Sequence, residues 1–294
     1  MIDGIVLLSK PAGITSFQAL GSLKKALRTG KIGHTGTLDR FAEGLLVVLA
    51  GKLTRLCSYA SSLDKEYIAR IRFGIGTDTL DPEGIVIANG TVPEPEALSA
   101  ALPSFLGRQE QVPPVFSALH IGGRRAYQAA RNGEEVKLAP RWITVNEIAL
   151  MSYEAPEAVV RISCSKGTYI RALARDVAER LGTCAHLVEL KRTRIGEFSL
   201  ANAVEPERFD PARDLLPPKA FFDSCPLLMR LTAKEEWIER IGHGMPPAPA
   251  AFDEPPSKEG VYGIFSPAGA LLAVAEIRGD AFRYAAVLTG GTAS

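Results

Sequence analysis

Alternation of apolar and polar residues predicts several β-strands in this chain. From residue 67 to residue 73 the odd-numbered positions are aromatic or apolar, and the even-numbered ones include Arg70 and Arg72. The same period recurs from residue 160 to residue 165. The uncharged run from 45 to 50 has the length of a buried strand and is too short to span a membrane. Further short strands are predicted at residues 5–8, 261–265, 270–277 and 282–288.

Apolar residues at helical spacing predict a first helix near the start of the chain. Thr15 and Gln18 have the spacing of a capping box, and Gly30 is a typical stop. The apolar side of this helix would consist of Phe17, Leu20, Leu23 and Leu27.

A second helix is predicted from near Thr168 to Gly182. Its apolar stripe would consist of Ile170, Leu173, Ala174, Val177 and Leu181. Arg171 falls in the first turn, where the helix dipole disfavours a cation, and no acid lies three or four positions away. An acid elsewhere in the fold, or an anionic ligand, is therefore expected beside Arg171.

The composition is that of a globular protein, with 294 residues of which 46% are hydrophobic and 23% charged. The loop-like, acidic and proline-rich segment 201–226 predicts a boundary between a domain at 1–222 and a small, mostly β domain at 223–294. In the latter, Thr232 and Glu235 would cap a short helix. No secretory or membrane segment is recognised, and four scattered cysteines predict neither disulfides nor a zinc site. We expect a cytoplasmic, monomeric protein.

Charge is distributed unevenly along the chain. Residues 1–60 and 161–195 each carry eight Lys/Arg against three Asp/Glu, whereas 61–160 and 196–294 are net acidic. Two local basic excesses indicate a polyanionic partner, although two solvated basic faces would give the same pattern. The turn-rich, basic segment 113–141 is predicted to form a surface arm that grips this partner.

Several nucleotide and metal motifs are incomplete. Gly74-Ile75-Gly76 lacks the third glycine of a dinucleotide cradle, and Gly51-Lys52 lacks the first glycine of a P-loop. The segment 78–84 misplaces the glycine of a calcium loop, and the four histidines have no companions at metal-ligand spacing. We therefore expect no nucleotide cofactor and no metal.

The segment from Gly33 to Asp39 places one carboxylate on a loop of small, hydrogen-bonding residues just before a buried strand. Reactive acids are presented in this way, although aspartate also caps turns. Tyr67, at a strand entrance, is either a stacking platform or a core aromatic residue with a satisfied hydroxyl. Taken together, Asp39, Tyr67 and Arg171 predict a site for a flat uncharged group, with Asp39 kept ionised by Arg171.

Five separated blocks of the chain resemble the TruB family of tRNA pseudouridine synthases, in order from about residue 4 to residue 200. The blocks are Lys10-Pro11-Ala12-Gly13-Ile14-Thr15-Ser16, Gly33-His34-Thr35-Gly36-Thr37-Leu38-Asp39, Lys65-Glu66-Tyr67, Pro113-Pro114-Val115-Phe116-Ser117-Ala118, and Cys164-Ser165-Lys166-Gly167-Thr168-Tyr169-Ile170-Arg171 with Leu190-Lys191-Arg192-Thr193.

This resemblance implies an α+β fold with a mixed, largely antiparallel central sheet and a small PUA-like C-terminal domain. It implies a cofactor-free isomerase that converts uridine 55 in the T loop of tRNA to pseudouridine. Asp39 would act at the ribose, Tyr67 would stack on the base and help to remove the C5 proton, and Arg171 would pair with Asp39.

The resemblance also implies the residues that contact the RNA. Leu190 and Tyr169 would line the base pocket, and His34 would fill the space left by extruded nucleotides. Lys10 and Lys166 are expected to contact the RNA as well. Such a site agrees with the need to take a base out of its stack before chemistry on it.

Three positions depart from the family pattern. Arg40 replaces a usual proline, Glu43 a usual small residue and His120 a common lysine, which affects loop stiffness and phosphate contact. Two alternatives remain open: a non-catalytic factor that binds or folds tRNA, and a pseudouridine synthase that acts on another RNA uridine.

Overall fold

The computed structural model describes residues 3–116, 120–121, 124–125, 138–225, 228–279 and 281–288, with the backbone alone at 120–121 and 124–125. The chain divides into two compact units. The first unit comprises Met1–Leu38, Gly44–Leu63 and Ile195–Ser294, and the second unit comprises Asp39–Glu43 and Asp64–Arg194. No helix among the described residues has both the length and the apolar character needed to cross a bilayer.

The strands, in chain order, are β1 (Gly4–Lys10), β2 (Ile32–His34), β3 (Glu43–Ala50), β4 (Lys65–Phe73), β5 (Ile75–Thr77), β6 (Val86–Asn89), β7 (Gly107–Gln111), β8 (His120–Ile121), β9 (Arg124–Arg125), β10 (Arg141–Glu154), β11 (Glu157–Cys164), β12 (Ala185–Ile195), β13 (Phe198–Ser199), β14 (Leu228–Thr232), β15 (Gly260–Phe265), β16 (Leu271–Arg278) and β17 (Ala281–Val287). The α-helices are Ser16–Ala19, Gly21–Ala26, Cys57–Ser61, Pro95–Ala101, Ile170–Arg180, Pro211–Asp214, Lys219–Asp223 and Ile238–Gly242. Short 3-10 helices lie at Gly51–Leu56, Leu102–Phe105, Leu200–Asn202, Pro206–Arg208, Glu235–Trp237 and Pro249–Ala251.

The second unit is built on strands in the order β12, β4, β11, β10, β7. β4 pairs with β11, β11 with β10, and β10 with β7, all antiparallel. Along β4 the odd-numbered side chains are buried and the even-numbered ones are not, as the alternation predicted. Tyr67 thereby faces the interior of this unit.

The helix Ile170–Arg180 carries the predicted apolar stripe. Ile170, Leu173, Ala174 and Val177 are buried, and so is Arg171. The helix begins two residues later than Thr168, because Tyr169 adopts an extended conformation at the N-cap. Gly182, at φ 69°, follows its end, where the left-handed conformation suits glycine.

The first unit pairs β1 with β3 and β2 with β3, both antiparallel. Its core joins residues from distant parts of the chain, including Ile5, Val47, Phe221, Phe265 and Val274. Residues on both sides of the predicted boundary at 222 therefore pack into the same core. The division into functional domains at this position remains a prediction.

The prediction of the first helix is partly wrong. The capping box is present, with the Gln18 backbone N–H donating to the Thr15 hydroxyl at 3.2 Å and the Thr15 backbone N–H donating to the Gln18 side chain at 2.8 Å. The chain then forms two short helices instead of one, since the first ends at Leu20. Phe17, predicted on the apolar side, is instead 70% exposed, with the Lys24 ammonium 4.2 Å from its ring centroid.

The C-terminal part of the first unit contains the three predicted strands and one more. β14, β15, β16 and β17 are neighbours in that order, with β14 parallel to β15 and the other pairs antiparallel. Thr232 is the last residue of β14 and does not cap the following helix, whose N-cap is Lys234. The additional strand β14, of five residues, was not predicted from the sequence, because it was not distinguished from the preceding loop.

The predicted arm at 113–141 falls mainly outside the described residues. Its described parts are the segment up to Phe116, the backbone of the paired strands β8 and β9, and residues 138–141. The predicted helical piece from residue 126 to residue 132 is among those not described.

Candidate active site

Asp39 begins the short segment Asp39–Glu43 of the second unit. A turn follows it, in which the Ala42 backbone N–H donates to the Asp39 carbonyl at 3.2 Å. The side chain is 40% exposed, and its Oδ2 atom lies 2.9 Å from the Arg171 Nε. This carboxylate is thus paired with a guanidinium and remains accessible from solvent.

Arg171 is buried in the first turn of the helix Ile170–Arg180. Besides contacting Asp39, its Nη1 donates to the Thr79 carbonyl at 2.7 Å and to the Asp81 carboxylate at 3.1 Å. Its Nη2 donates to the Phe116 carbonyl at 2.9 Å. These oxygens offset both the unfavourable helix dipole and the cost of burying the charge. The expectation of an acid beside Arg171 is confirmed, with two acids in place of one.

Asp81 is the second acid, and its side chain is only 8% exposed. One carboxylate oxygen accepts from the Thr79 hydroxyl at 2.5 Å and from the Glu83 backbone N–H at 3.1 Å, and the other faces Arg171. Between Thr79 and Asp81, Leu80 adopts φ 61°, a left-handed conformation that is uncommon for a leucine side chain. The turn therefore contains a strained backbone conformation at Leu80, and in this turn the Asp81 carboxylate faces Arg171.

Asp81 was not predicted as a site residue. The segment 78–84 fails the spacing of a calcium loop, and a carboxylate that bonds to its own turn is common in loops. The available signal was the combination of Thr79 and Asp81 in a turn a few residues after the strand predicted at 67–73, with Arg171 elsewhere in need of an acidic partner.

Tyr67 is the third residue of β4 and is 8% exposed. Burial raises the pKa of its hydroxyl above the usual range for tyrosine, while the positive charge of Arg192 and a hydrogen bond from this residue oppose the shift. The Asp39 charge raises the same pKa, so the two side chains share one electrostatic environment. The sequence left open a core role and a site role for Tyr67, and the observed burial is compatible with both.

The other predicted contact residues of the second unit differ in exposure. Leu190 is buried on β12, and Lys166 is exposed in the turn after β11. Tyr169 is half-buried, with its backbone N–H and carbonyl bonded to the Gln111 amide at 2.9 and 3.1 Å. The Arg141 guanidinium lies 5.6 Å from the Tyr169 ring centroid.

Two predicted contact residues belong to the first unit. His34 is half-buried at the end of β2. Lys10 is fully buried, and its ammonium donates to the carbonyls of Pro11 and Ile14 at 2.9 and 2.7 Å. These two hydrogen bonds hold the turn that follows β1, and a contact of Lys10 with RNA stays a prediction.

Two of the departures from the family pattern form exposed ion pairs. Arg40 lies 3.9 Å from Glu83, and Glu43 lies 3.0 Å from Lys191. Such ion pairs contribute little to the free energy of unfolding, because both charges remain in water. The side chain of His120 lies outside the described residues.

Comparison with known proteins agrees with these motifs. A family model described as the N-terminal domain of TruB family pseudouridylate synthase matches residues 24–170, and one described as the tRNA pseudouridylate synthase B C-terminal domain matches residues 171–214. The tRNA pseudouridine synthase B of Cupriavidus metallidurans is 38% identical over 294 residues, covering 96% of this chain and 93% of the relative. That of Borreliella burgdorferi strain ZS7 is 46% identical over 215 residues, covering 72% of this chain and 76% of the relative.

A solved structure supports the fold as well. The chain matched in the crystal structure of a Cbf5-Nop10-Gar1 complex has a TM-score of 0.71 at 23% identity, covering 98% of this chain and 84% of that one. The predicted α+β architecture with a mixed, largely antiparallel sheet is confirmed. The family models, the curated relatives and this fold lead to one conclusion: the chain belongs to the TruB family of pseudouridylate synthases.

Proposed function

We propose that this protein isomerises uridine to pseudouridine in tRNA, with uridine 55 of the T loop as its target. The observation that carries the proposal is the 2.9 Å ion pair between the half-exposed Asp39 carboxylate and the buried Arg171 guanidinium. Membership of the TruB family supports the same reaction.

Asp39 acts at the ribose of the target uridine. The bond from C1′ to N1 breaks, the uracil turns within the pocket, and a bond forms from C1′ to C5. The hydrogen lost from C5 is balanced by the one that N1 gains, so the product is an isomer and no oxidant or reductant is consumed. Arg171 keeps the Asp39 carboxylate in its charged, reactive form through the nearby positive charge.

Tyr67 and Leu190 form the apolar part of the base pocket. Both are buried in the second unit, and an aromatic ring offers a surface on which an extruded base can stack. We assign Tyr67 a part in removing the C5 proton. Tyr169 completes the pocket from the N-cap of the helix that carries Arg171.

The RNA partner is the T arm of tRNA. Lys166 is exposed and available to a phosphate, and His34 would fill the space that the extruded nucleotides leave. The basic segment 113–141 would grip the arm of the RNA, and the PUA-like part would add a weaker contact. A cytoplasmic location and a monomeric state belong to the same proposal.

The decisive experiment measures pseudouridine in an unmodified tRNA transcript, with purified protein and no added cofactor or metal. Wild type is compared with Asp39→Asn and with Glu83→Gln, which changes an exposed carboxylate of the same unit. We expect product at uridine 55 from wild type and Glu83→Gln, and none from Asp39→Asn.

The alternatives give different results in this assay. A tRNA-binding or folding factor without chemistry binds the transcript and yields no product from any variant. A synthase for another uridine yields product elsewhere in the transcript, or only in a different RNA. Product from Asp39→Asn at the wild-type rate would contradict the role proposed for Asp39.

A further inference from the structure

Arg192 is a buried arginine to which no role has been assigned so far. It lies on β12, two residues after Leu190, and is only 2% exposed. Burying a guanidinium is costly unless acceptors surround it. An arginine buried at this position is therefore expected to form a hydrogen bond with a specific neighbouring side chain.

That neighbour is Tyr67. The Thr193 hydroxyl donates to the Glu66 carboxylate at 2.7 Å, and the Arg70 Nε donates to the Glu189 carboxylate at 3.1 Å. Between these two contacts the residue number rises along β4 and falls along β12, so the two strands are antiparallel. The same register sets Tyr67 opposite Arg192. Both side chains are on buried faces, and Arg192 is hydrogen-bonded to Tyr67.

The direction of this hydrogen bond follows from the groups involved. A guanidinium has only donors, so the Tyr67 oxygen must accept. The phenolic proton of Tyr67 is therefore left for a different acceptor. The Arg192 bond also limits where the phenolic oxygen can lie, because the arginine is itself buried on β12, the strand next to β4.

We propose that Arg192 is a positioning residue for Tyr67, fixing the phenolic oxygen and stabilising the phenolate form, which has lost its proton to solvent and can accept the C5 proton. This inference rests on the proposed function, in which Tyr67 takes part in removing the C5 proton. It goes beyond that function in naming the group that prepares Tyr67 for the step.

The charged and titratable groups around Tyr67 support this role. β12 contributes Arg192, β11 contributes Cys164, and the loop after Leu38 contributes Asp39, which Arg171 pairs. Burial raises the pKa of Tyr67, and Arg192 opposes this shift both by its charge and by its hydrogen bond.

Lys65, two residues before Tyr67, is another buried cation of this cluster. Burial first, and the charge of Arg192 second, lower its pKa to about 8. Lys65 loses its charge as the pH rises past this value, whereas guanidinium groups are not deprotonated in proteins. A guanidinium is therefore better suited than Lys65 to act on Tyr67 at alkaline pH.

A test that needs no RNA uses protein with ¹³C at the Cζ atom of tyrosine. The Tyr67 resonance is assigned by its loss in Tyr67→Phe and is followed with pH in wild type, Arg192→Lys and Arg192→Met. We expect the titration of Tyr67 to move upward by about one pH unit or more in Arg192→Met, and by less in Arg192→Lys, which keeps the charge. An unchanged Tyr67 titration in Arg192→Met would overturn the proposal.

A second test measures single-turnover pseudouridine formation. Arg192→Met should slow the wild type by about 10- to 100-fold with little change in tRNA affinity, but should add less than about twofold slowing to Tyr67→Phe. Equal slowing in both backgrounds would mean that Arg192 acts through general packing, and would overturn the proposal. Arg194→Met, an exposed cation on the same strand, is the matched control and should retain the wild-type rate.

Folding and function can be separated in these tests. Circular dichroism checks that each variant folds, and if Arg192→Met does not fold, the same comparisons are made with Arg192→Lys, where an unchanged rate and an unchanged resonance would overturn the proposal. If wild type forms no pseudouridine, the proposed function fails, while the tyrosine resonance still decides whether Arg192 controls Tyr67.

Discussion

Two carboxylates meet the same guanidinium in the second unit, and they differ in almost every other respect. Asp39 is 40% exposed and contacts the Arg171 Nε, whereas Asp81 is 8% exposed and contacts Nη1. Asp81 is further held by a hydroxyl and a backbone N–H. One cation therefore serves an acid that is open to a substrate and an acid that is fixed within the protein. Accessibility, more than charge, separates the carboxylate that is proposed to react from the one that supports Arg171.

Removing the charge of the accessible acid is expected to have the largest effect on rate. Asp39→Asn should reduce single-turnover pseudouridine formation on the order of a thousandfold or more, because the amide cannot replace the reactive carboxylate. The free energy of unfolding should change little, since the side chain is half-exposed. Urea denaturation and a product assay on one preparation test both statements. A large loss of stability would remove the contrast with Asp81.

Removing the shared cation should affect both rate and stability. Arg171→Ala is expected to cripple catalysis and to lower the free energy of unfolding by about 3–5 kcal/mol, since Asp81 would be left buried without its counterion. Affinity for tRNA should stay within about tenfold, or ~1.4 kcal/mol.

Arg171→Lys is the matched variant for this prediction, because it keeps the charge and loses the planar fork of donors. It should recover part of the stability and less of the rate. A parallel loss of rate and tRNA affinity in Arg171→Ala would instead identify Arg171 as a phosphate clamp.

Asp81→Asn should have an intermediate effect. Compared with Asp39→Asn, it should lower the free energy of unfolding more and the rate of isomerisation less. It keeps the shape of the side chain but weakens the contact with Arg171, so the free energy of unfolding should fall by about 1–3 kcal/mol. The rate should fall by about tenfold, because Arg171 loses one of its fixed partners. A loss of rate as large as that of Asp39→Asn, with unchanged stability, would assign Asp81 to the chemistry itself.

The smallest effect is expected from an exposed carboxylate in the same short segment as Asp39. Glu43→Gln breaks the exposed pair with Lys191 and should change the free energy of unfolding by less than about 0.5 kcal/mol. The rate of isomerisation should remain within about twofold of wild type. A larger loss of rate would show that the ion pair orients the loop that carries Asp39.

Periodicity and capping explain how much of this could be predicted from the sequence. The alternation along β4 identifies the buried face of Tyr67, because a strand with one buried face leaves a period of two in the sequence. The misplaced charge of Arg171 in a first helical turn predicts an acid from elsewhere, which the structure supplies. Both signals depend on residues that are close together in the chain, and such patterns can be recognised in a single sequence.

What could not be predicted depends on contacts between distant residues. Asp81 is ninety positions from Arg171, and nothing in its own turn distinguishes it from an ordinary loop aspartate. Lys10 is predicted from the sequence to contact RNA, and only the folded chain shows that its ammonium donates to two backbone carbonyls. The pairing of β4 with β12, which sets Arg192 beside Tyr67, is likewise a property of the fold.

The bond from the Arg171 Nη2 to the Phe116 carbonyl has a consequence for communication between binding and chemistry. Phe116 lies within the segment 113–141 that is proposed to grip the RNA, while Arg171 holds the carboxylate of Asp39. A shift of the backbone at residue 116 relative to Arg171 would lengthen this bond. If the segment 113–141 binds RNA as proposed, its binding and the orientation of the Asp39 carboxylate would therefore be energetically linked.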